Sequence, residues 1–125
     1  MKKEACEYMT WEMFDKASRE IARWAKDRKF TGIYGPPRGG IVLAVKLSHL
    51  LKIPLIVSKD DITPNVLIAE DIKDSGKTLL ADSYRNCQIV TLYWNKQLCQ
   101  ETDVDSPEFY VYEKMDKYIV FPWEI

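Results

Sequence analysis

The sequence predicts an α/β domain with a mainly parallel sheet flanked by helices, and three observations carry that prediction. Short apolar runs bounded by turn residues alternate with stretches of helical spacing, the pattern of strands buried on both faces by crossover helices. A glycine-bearing turn twice joins an apolar run to a helical stretch, at Pro36-Pro37-Arg38-Gly39-Gly40 and at Asp74-Ser75-Gly76-Lys77-Thr78. Two acids, Glu70 and Asp71, stand between the apolar run Val66 to Ala69 and the second turn. Open sheets of this kind bind ligands outside the carboxyl ends of their strands, where both turns would lie.

The elements follow in order. Thr10 is placed to cap a helix whose apolar positions, Trp11, Phe14, Ala17, Ile21, Trp24 and Ala25, recur at helical spacing. That stripe is expected to pack in the core rather than to stack a base. Thr31 to Gly35 reads as a strand, Pro36 to Gly40 as a tight loop and Ile41 to Leu51 as a helix closed by Lys52-Ile53-Pro54. Leu55 to Val57 reads as another short strand, followed by a connection over Ser58 to Asn65. Val66 to Ala69 is a buried strand expected to leave the sheet at Glu70 and Asp71, with a helix over Thr78 to Arg85 and a strand over Gln88 to Tyr93 beyond it. Tyr110 to Ile125 alternates aromatic and aliphatic residues, which is apolar for a chain end.

Composition narrows the function. A chain of 125 residues without linker, repeat or low-complexity tract is expected to form one domain over residues 1–125. Eighteen Lys and Arg against 19 Asp and Glu, scattered, give no basic stripe for nucleic acid. The longest apolar region, Ile41 to Val57, carries Lys46, His49, Lys52 and Pro54 and does not suit a membrane span, and no apolar signal core follows Met1-Lys2-Lys3. Cys6, Cys87 and Cys99 are odd in number and lack metal-ligand spacing, as expected of reduced structural thiols in a cytoplasmic protein. His49, the only histidine, falls inside a helical stretch and is read as a packing or surface residue.

The chemistry concentrates in Val66 to Thr78. Backbone N–H groups of Ser75, Gly76, Lys77 and Thr78 at a helix start would converge on a phosphate, with Gly76 allowing close approach and the Ser75 and Thr78 hydroxyls adding donors. Carboxylates beside a phosphate require an intervening cation or polyol, so Glu70 and Asp71 point to sugar hydroxyls, a hydrated magnesium ion, or both. The alternative is an ordinary strand-to-helix turn with solvated acids. A nucleotide P-loop fails on spacing, because Asp71 stands where its first glycine belongs. The loop before Ile41 offers a second anion cradle, with paired Gly39 and Gly40 exposing N–H groups and the planar fork of Arg38 gripping an anion; alone it would read as a plain connecting turn.

Val66 to Thr78 resembles the ribose-phosphate signature of type I phosphoribosyltransferases: an apolar strand, two acids, two further residues, then Asp-Ser/Thr-Gly-x-Thr. The resemblance extends over Gly35 to Glu124 and is closest to the small bacterial and archaeal xanthine, guanine and hypoxanthine enzymes. It implies that Ser75, Gly76, Lys77 and Thr78 hold the 5-phosphate of phosphoribosyl pyrophosphate, that Glu70 and Asp71 face its ribose and Mg2+, with Asp71 as the metal ligand, and that Asp74 is the catalytic group beside the base. Arg38, Gly39 and Gly40 match the family's pyrophosphate loop, where relatives carry a non-proline cis peptide, here expected near Pro37 and Arg38. Lys96 falls near a lysine that bonds the purine 6-oxo group. Tyr118 matches a base-stacking residue, Ile119 a backbone reader of the purine edge, and Pro122-Trp123-Glu124 the end of a small C-terminal hood.

One departure stands out. Relatives carry a long mobile loop that covers the substrates, whereas only Ser58 to Asn65 occupies that place here. Closure protects the reacting sugar carbon from water, so a short lid implies slow turnover or cover from another subunit; Lys59 reaches toward pyrophosphate or is simply a solvated turn lysine. The resemblance therefore implies an Mg-dependent transfer of ribose 5-phosphate to a 6-oxopurine in a homodimer or homotetramer. Its rivals are a non-catalytic module that binds phosphoribosyl pyrophosphate and an enzyme acting on a pyrimidine or other small base.

Overall fold

The computed structural model describes residues 6–73, 84, 86–101, 106–114 and 117–124. Its centre is a four-stranded sheet, β2 (Gly32–Tyr34), β3 (Val66–Lys73), β4 (Ile89–Trp94) and β5 (Phe109–Glu113), in the order β2-β3-β4-β5. Every neighbouring pair is parallel, with Gly32 opposite Val66, Ile68 opposite Ile89 and Val90 opposite Phe109. Before the sheet come β1 (Cys6–Tyr8) and α1 (Trp11–Ala25). α2 (Ile41–Leu51) crosses from β2 to β3, α3 (Lys96–Glu101) follows β4, and β6 (Tyr118–Val120) follows β5. The expected mainly parallel sheet flanked by helices is the fold found.

Helix α1 begins where the sequence predicts, with Thr10 Oγ1 accepting the Met13 N–H at 3.1 Å. Phe14, Ala17 and Ile21 from α1 and Leu43, Ala44 and Leu47 from α2 pack over Leu67, Ala69, Val90 and Leu92. Val66 and Ile68, alternating with Leu67 and Ala69 along β3, join a second cluster with Tyr34, Tyr84 and Cys87. Period-two alternation into two cores explains why this strand reads as one continuous apolar run. Leu47 is fully buried, so Leu47→Ala is expected to lower unfolding free energy by about 2–5 kcal/mol, read as a lower urea midpoint at unchanged slope.

Several expectations are revised. Trp11 is 56% exposed: as the first residue of α1 it lies beyond the core stripe, touching Phe14 and Trp123 at ring-centroid distances of 5.7 and 6.1 Å. Leu55 to Val57 is reduced to a single bridge between Leu55 and Ile33, because Pro54 has no N–H to give and Val57 is left in solvent. β3 does not leave the sheet at Glu70. It runs on to Lys73, since β4 pairs with it as far as Trp94. The expected helix over Thr78 to Arg85 lies outside the described residues apart from Tyr84, and α3, with few apolar residues, was not anticipated.

The C-terminal stretch divides. Phe109–Glu113 is an edge strand of the main sheet, whereas β6 pairs in parallel with the N-terminal β1, Cys6 opposite Tyr118, Glu7 opposite Ile119 and Tyr8 opposite Val120. This separate two-stranded sheet joins the two chain ends, a long-range pairing that no local pattern in the sequence announces.

Candidate active site

The loop from Pro36 to Gly40 leaves the carboxyl end of β2 and turns into α2. The Gly40 N–H donates to the Pro36 carbonyl at 3.0 Å and the Ile41 N–H to the Arg38 carbonyl at 3.3 Å, closing a tight turn with Gly40 as the N-cap of α2. The Pro37–Arg38 peptide is cis. Arg38 is exposed and Gly39 half-buried, so the turn presents its cation and backbone at the surface above the sheet.

The adjacent strand holds the acids. Glu70 is buried and Asp71 half-buried within β3, and the Asp71 N–H donates to Glu70 Oε1 at 3.0 Å. The loop packs directly on this pair. A Cβ built on Gly39 would lie 2.5 Å from Asp71 Oδ2, and one on Gly40 would collide with the Ala69 carbonyl oxygen, so neither position has room for a side chain. Two adjacent glycines are thus explained by the close approach of the β2 loop to the end of β3.

Burial decides the electrostatics. Removal from water, reinforced by the neighbouring Asp71 charge, pushes the Glu70 carboxyl up to about 9. Burial also raises Asp71; the Glu70 side chain opposes that rise, and the negative charge of Glu124 adds to it. Glu124, which the sequence reading passed over as the end of a motif, accepts the Phe121 N–H at 2.8 Å and so turns its charge toward the acid pair. Its signal was the acid after Pro122 and Trp123, at the end of an apolar segment.

The remaining predicted residues are distributed as follows. Lys96 is exposed at the first position of α3, two residues beyond β4, after Asn95 accepts the Leu98 N–H at 3.0 Å. Tyr118 is 50% exposed on β6, whereas Ile119 beside it is buried. Lys59 is exposed in a short 3-10 turn over Lys59–Asp61, and His49 is exposed on α2. Asp74, Ser75, Gly76, Lys77 and Thr78 lie outside the described residues. The structure brings together Gly39, Gly40, Glu70 and Asp71.

Among the described residues, no group of three or more His, Cys, Asp or Glu side chains is arranged to hold a metal ion. Buried Glu70 and half-buried Asp71, without an ion pair to any described lysine or arginine, nevertheless suit Mg2+, which commonly takes one or two carboxylates and fills its octahedron with waters and substrate oxygens. No helix among the described residues is long and apolar enough to cross a membrane.

No protein-family model matches the sequence, and no curated protein does. Solved structures do. A purine phosphoribosyltransferase from Pyrococcus horikoshii is similar at a TM-score of 0.79 and 29% identity, covering 96% of this chain and 95% of that one. A hypothetical protein from Neisseria gonorrhoeae with bound ppGpp shares the fold at 0.77 and 14% identity, covering 100% and 92%, and the xanthine-guanine-hypoxanthine phosphoribosyltransferase of Helicobacter pylori at 0.72 and 19%, covering 96% and 94%. The Pyrococcus likeness runs over nearly both whole chains and meets a Val66 to Thr78 pattern that points the same way, so this chain has the fold of the type I phosphoribosyltransferases and resembles their purine-salvage members.

Proposed function

We propose that the protein transfers ribose 5-phosphate from phosphoribosyl pyrophosphate to a 6-oxopurine and releases pyrophosphate. The observation that carries this reading is the packing of the Gly39-Gly40 turn on the Asp71 carboxylate, which sets a pyrophosphate-type loop against a ribose-type acid pair on neighbouring strands. The purine comes from the relatives, since the Pyrococcus protein is named a purine enzyme and the Helicobacter one a xanthine, guanine and hypoxanthine enzyme.

In this reading Arg38 and the N–H groups of Gly39 and Gly40 grip pyrophosphate, and Ser75, Gly76, Lys77 and Thr78 hold the 5-phosphate. Glu70 and Asp71 fix the ribose hydroxyls, so that the reacting carbon is held in line with the incoming base. Asp71, together with substrate oxygens, would hold Mg2+, which would supply positive charge to offset the negative charge of the departing pyrophosphate. Asp74 accepts the proton from the imidazole ring of the purine, which makes the opposite ring nitrogen the better nucleophile, and attack from the side away from pyrophosphate inverts the sugar carbon. Tyr118 stacks on the base, the Ile119 backbone reads its edge and Lys96 meets its 6-oxo group. Association into a homodimer or homotetramer would supply the cover that the short Ser58 to Asn65 connection lacks.

The test is to combine the protein with phosphoribosyl pyrophosphate, Mg2+ and each of guanine, xanthine, hypoxanthine, adenine and orotate, and to follow nucleotide by chromatography. Product is expected with an oxopurine, falling about 100-fold or more in Asp74→Asn. Product with orotate alone would move the reading to a pyrimidine enzyme. Calorimetric binding of phosphoribosyl pyrophosphate without product from any base would make the protein a non-catalytic binding module.

A further inference from the structure

The strand that pairs with the C-terminal hood is weakly anchored. Cys6, Glu7 and Tyr8 of β1 are all exposed, so no side chain of this strand is held by burial. Its place is set by the ladder to β6, by the Met9 N–H donating to the Val120 carbonyl at 2.9 Å, and by the buried Met9 side chain that follows. A side-chain contact ties the strand to the main sheet: the Tyr93 hydroxyl donates to Glu7 Oε2 at 3.3 Å.

Tyr93 is unusual among the residues of β4. It is fully buried, and burial together with the Glu7 carboxylate pushes its phenol above the ordinary range, so it is a proton donor at any working pH. Its ring meets Phe121, directly after β6, edge to face at a centroid distance of 5.8 Å, and Tyr112 of β5 at 5.2 Å. One side chain of the main sheet therefore touches both arms of the two-stranded sheet, β1 through Glu7 and the end of β6 through Phe121. Glu7 stands opposite Ile119 in that ladder, and Tyr118 and Ile119 are the hood positions assigned to the base.

We infer that Tyr93 is a positioning residue that sets the hood against the sheet through Glu7 and Phe121, and so governs base affinity separately from phosphoribosyl pyrophosphate affinity. The inference rests on the proposed reaction only for the identity of the ligand. It differs from plain core packing in what it predicts. Tyr93→Phe keeps the ring contacts, and the freed Glu7 carboxylate is exposed and returns to water, so no buried group is orphaned and the fold is spared.

Tyr93→Phe is expected to raise the KM for the oxopurine about fivefold, the equivalent of one ordinary hydrogen bond, with the KM for phosphoribosyl pyrophosphate within about twofold of wild type. Glu7→Ala should reproduce this effect, Glu7→Gln, which keeps an acceptor, should largely restore the wild-type value, and the double variant Tyr93→Phe/Glu7→Ala should be no worse than either single one. Equal rises in both KM values, or no change in either, would overturn the inference. If the wild-type protein forms no nucleotide, the proposed reaction fails on its own, and the positioning claim is then read by hydrogen exchange. Faster exchange of the Met9 and Ile119 to Phe121 amides in Tyr93→Phe, with the core of β3 unchanged, supports it, and unchanged exchange overturns it.

Discussion

Gly39→Ala is expected to lower kcat/KM for phosphoribosyl pyrophosphate about 100-fold while the protein stays folded. The new methyl carbon would sit 2.5 Å from Asp71 Oδ2 and 2.8 Å from both Asp71 Cγ and Oδ1, so it occupies space that the carboxylate now fills. A short side chain can swing away from such a clash, which spares the fold. What moves, however, is the group expected to hold the ribose and Mg2+, and displacement of about an ångström in a positioning group is enough to cost two orders of magnitude. Gly40 provides the contrast: its Cβ would strike the Ala69 carbonyl of the central strand, and backbone cannot swing aside. Thermal unfolding together with steady-state kinetics separates the two kinds of damage. A Gly39→Ala protein with wild-type kcat/KM would show that the β2 loop and the β3 acids do not act as one site.

The legibility of this chain in its sequence follows the range of the interactions involved. Thr10, the α1 stripe below Trp11, the Pro36 to Gly40 turn and the bounds of α2 were readable because capping, helical periodicity and turn chemistry act within a few residues. Glu70, Asp71, Gly39 and Gly40 stood out as candidates in the sequence because a phosphate and sugar site would demand those residue types in that order. Their mutual contact was not, since nothing local places Gly39 against Asp71, 32 positions on. The same reason hid the β1–β6 pairing between opposite chain ends and the link from Tyr93 to Glu7. The extension of β3 to Lys73 was missed because the charges at Glu70 and Asp71 read as a strand end, whereas a flanking strand that continues to Trp94 supplies the ladder bonds. Glu124 was missed for a related reason, because its effect on Asp71 exists only after the chain end folds back over the sheet.

That folding back leaves an accumulation of negative charge whose cost should be measurable as stability. Glu70→Gln is expected to stabilise the protein at pH 8 and to weaken its binding of phosphoribosyl pyrophosphate with Mg2+. The sign follows from proton linkage. Glu70 titrates near its ordinary 4.5 when unfolded and at about 9 when folded, so between those values the folded chain holds more protons than the unfolded one, and stability falls as pH rises. Below about 4.5 both states are protonated and the penalty vanishes. Glutamine keeps the size and the acceptor oxygen for the Asp71 N–H but cannot ionise, so it removes the Glu70 share of that slope, leaving the smaller share that belongs to Asp71. Unfolding midpoints measured from pH 5 to pH 9 should therefore coincide near pH 5 and diverge upward for the variant. Adding Mg2+ and phosphoribosyl pyrophosphate should stabilise wild type more than the variant, because the bound cation and ribose hydroxyls favour a Glu70 carboxylate that the variant cannot form. Parallel pH profiles for the two proteins would mean that Glu70 is ionised in the folded state across this range. In that case the negative charge of Glu70 would be tolerated in the free protein, and the acid pair would have no need of the cation and sugar that the proposed reaction brings to it.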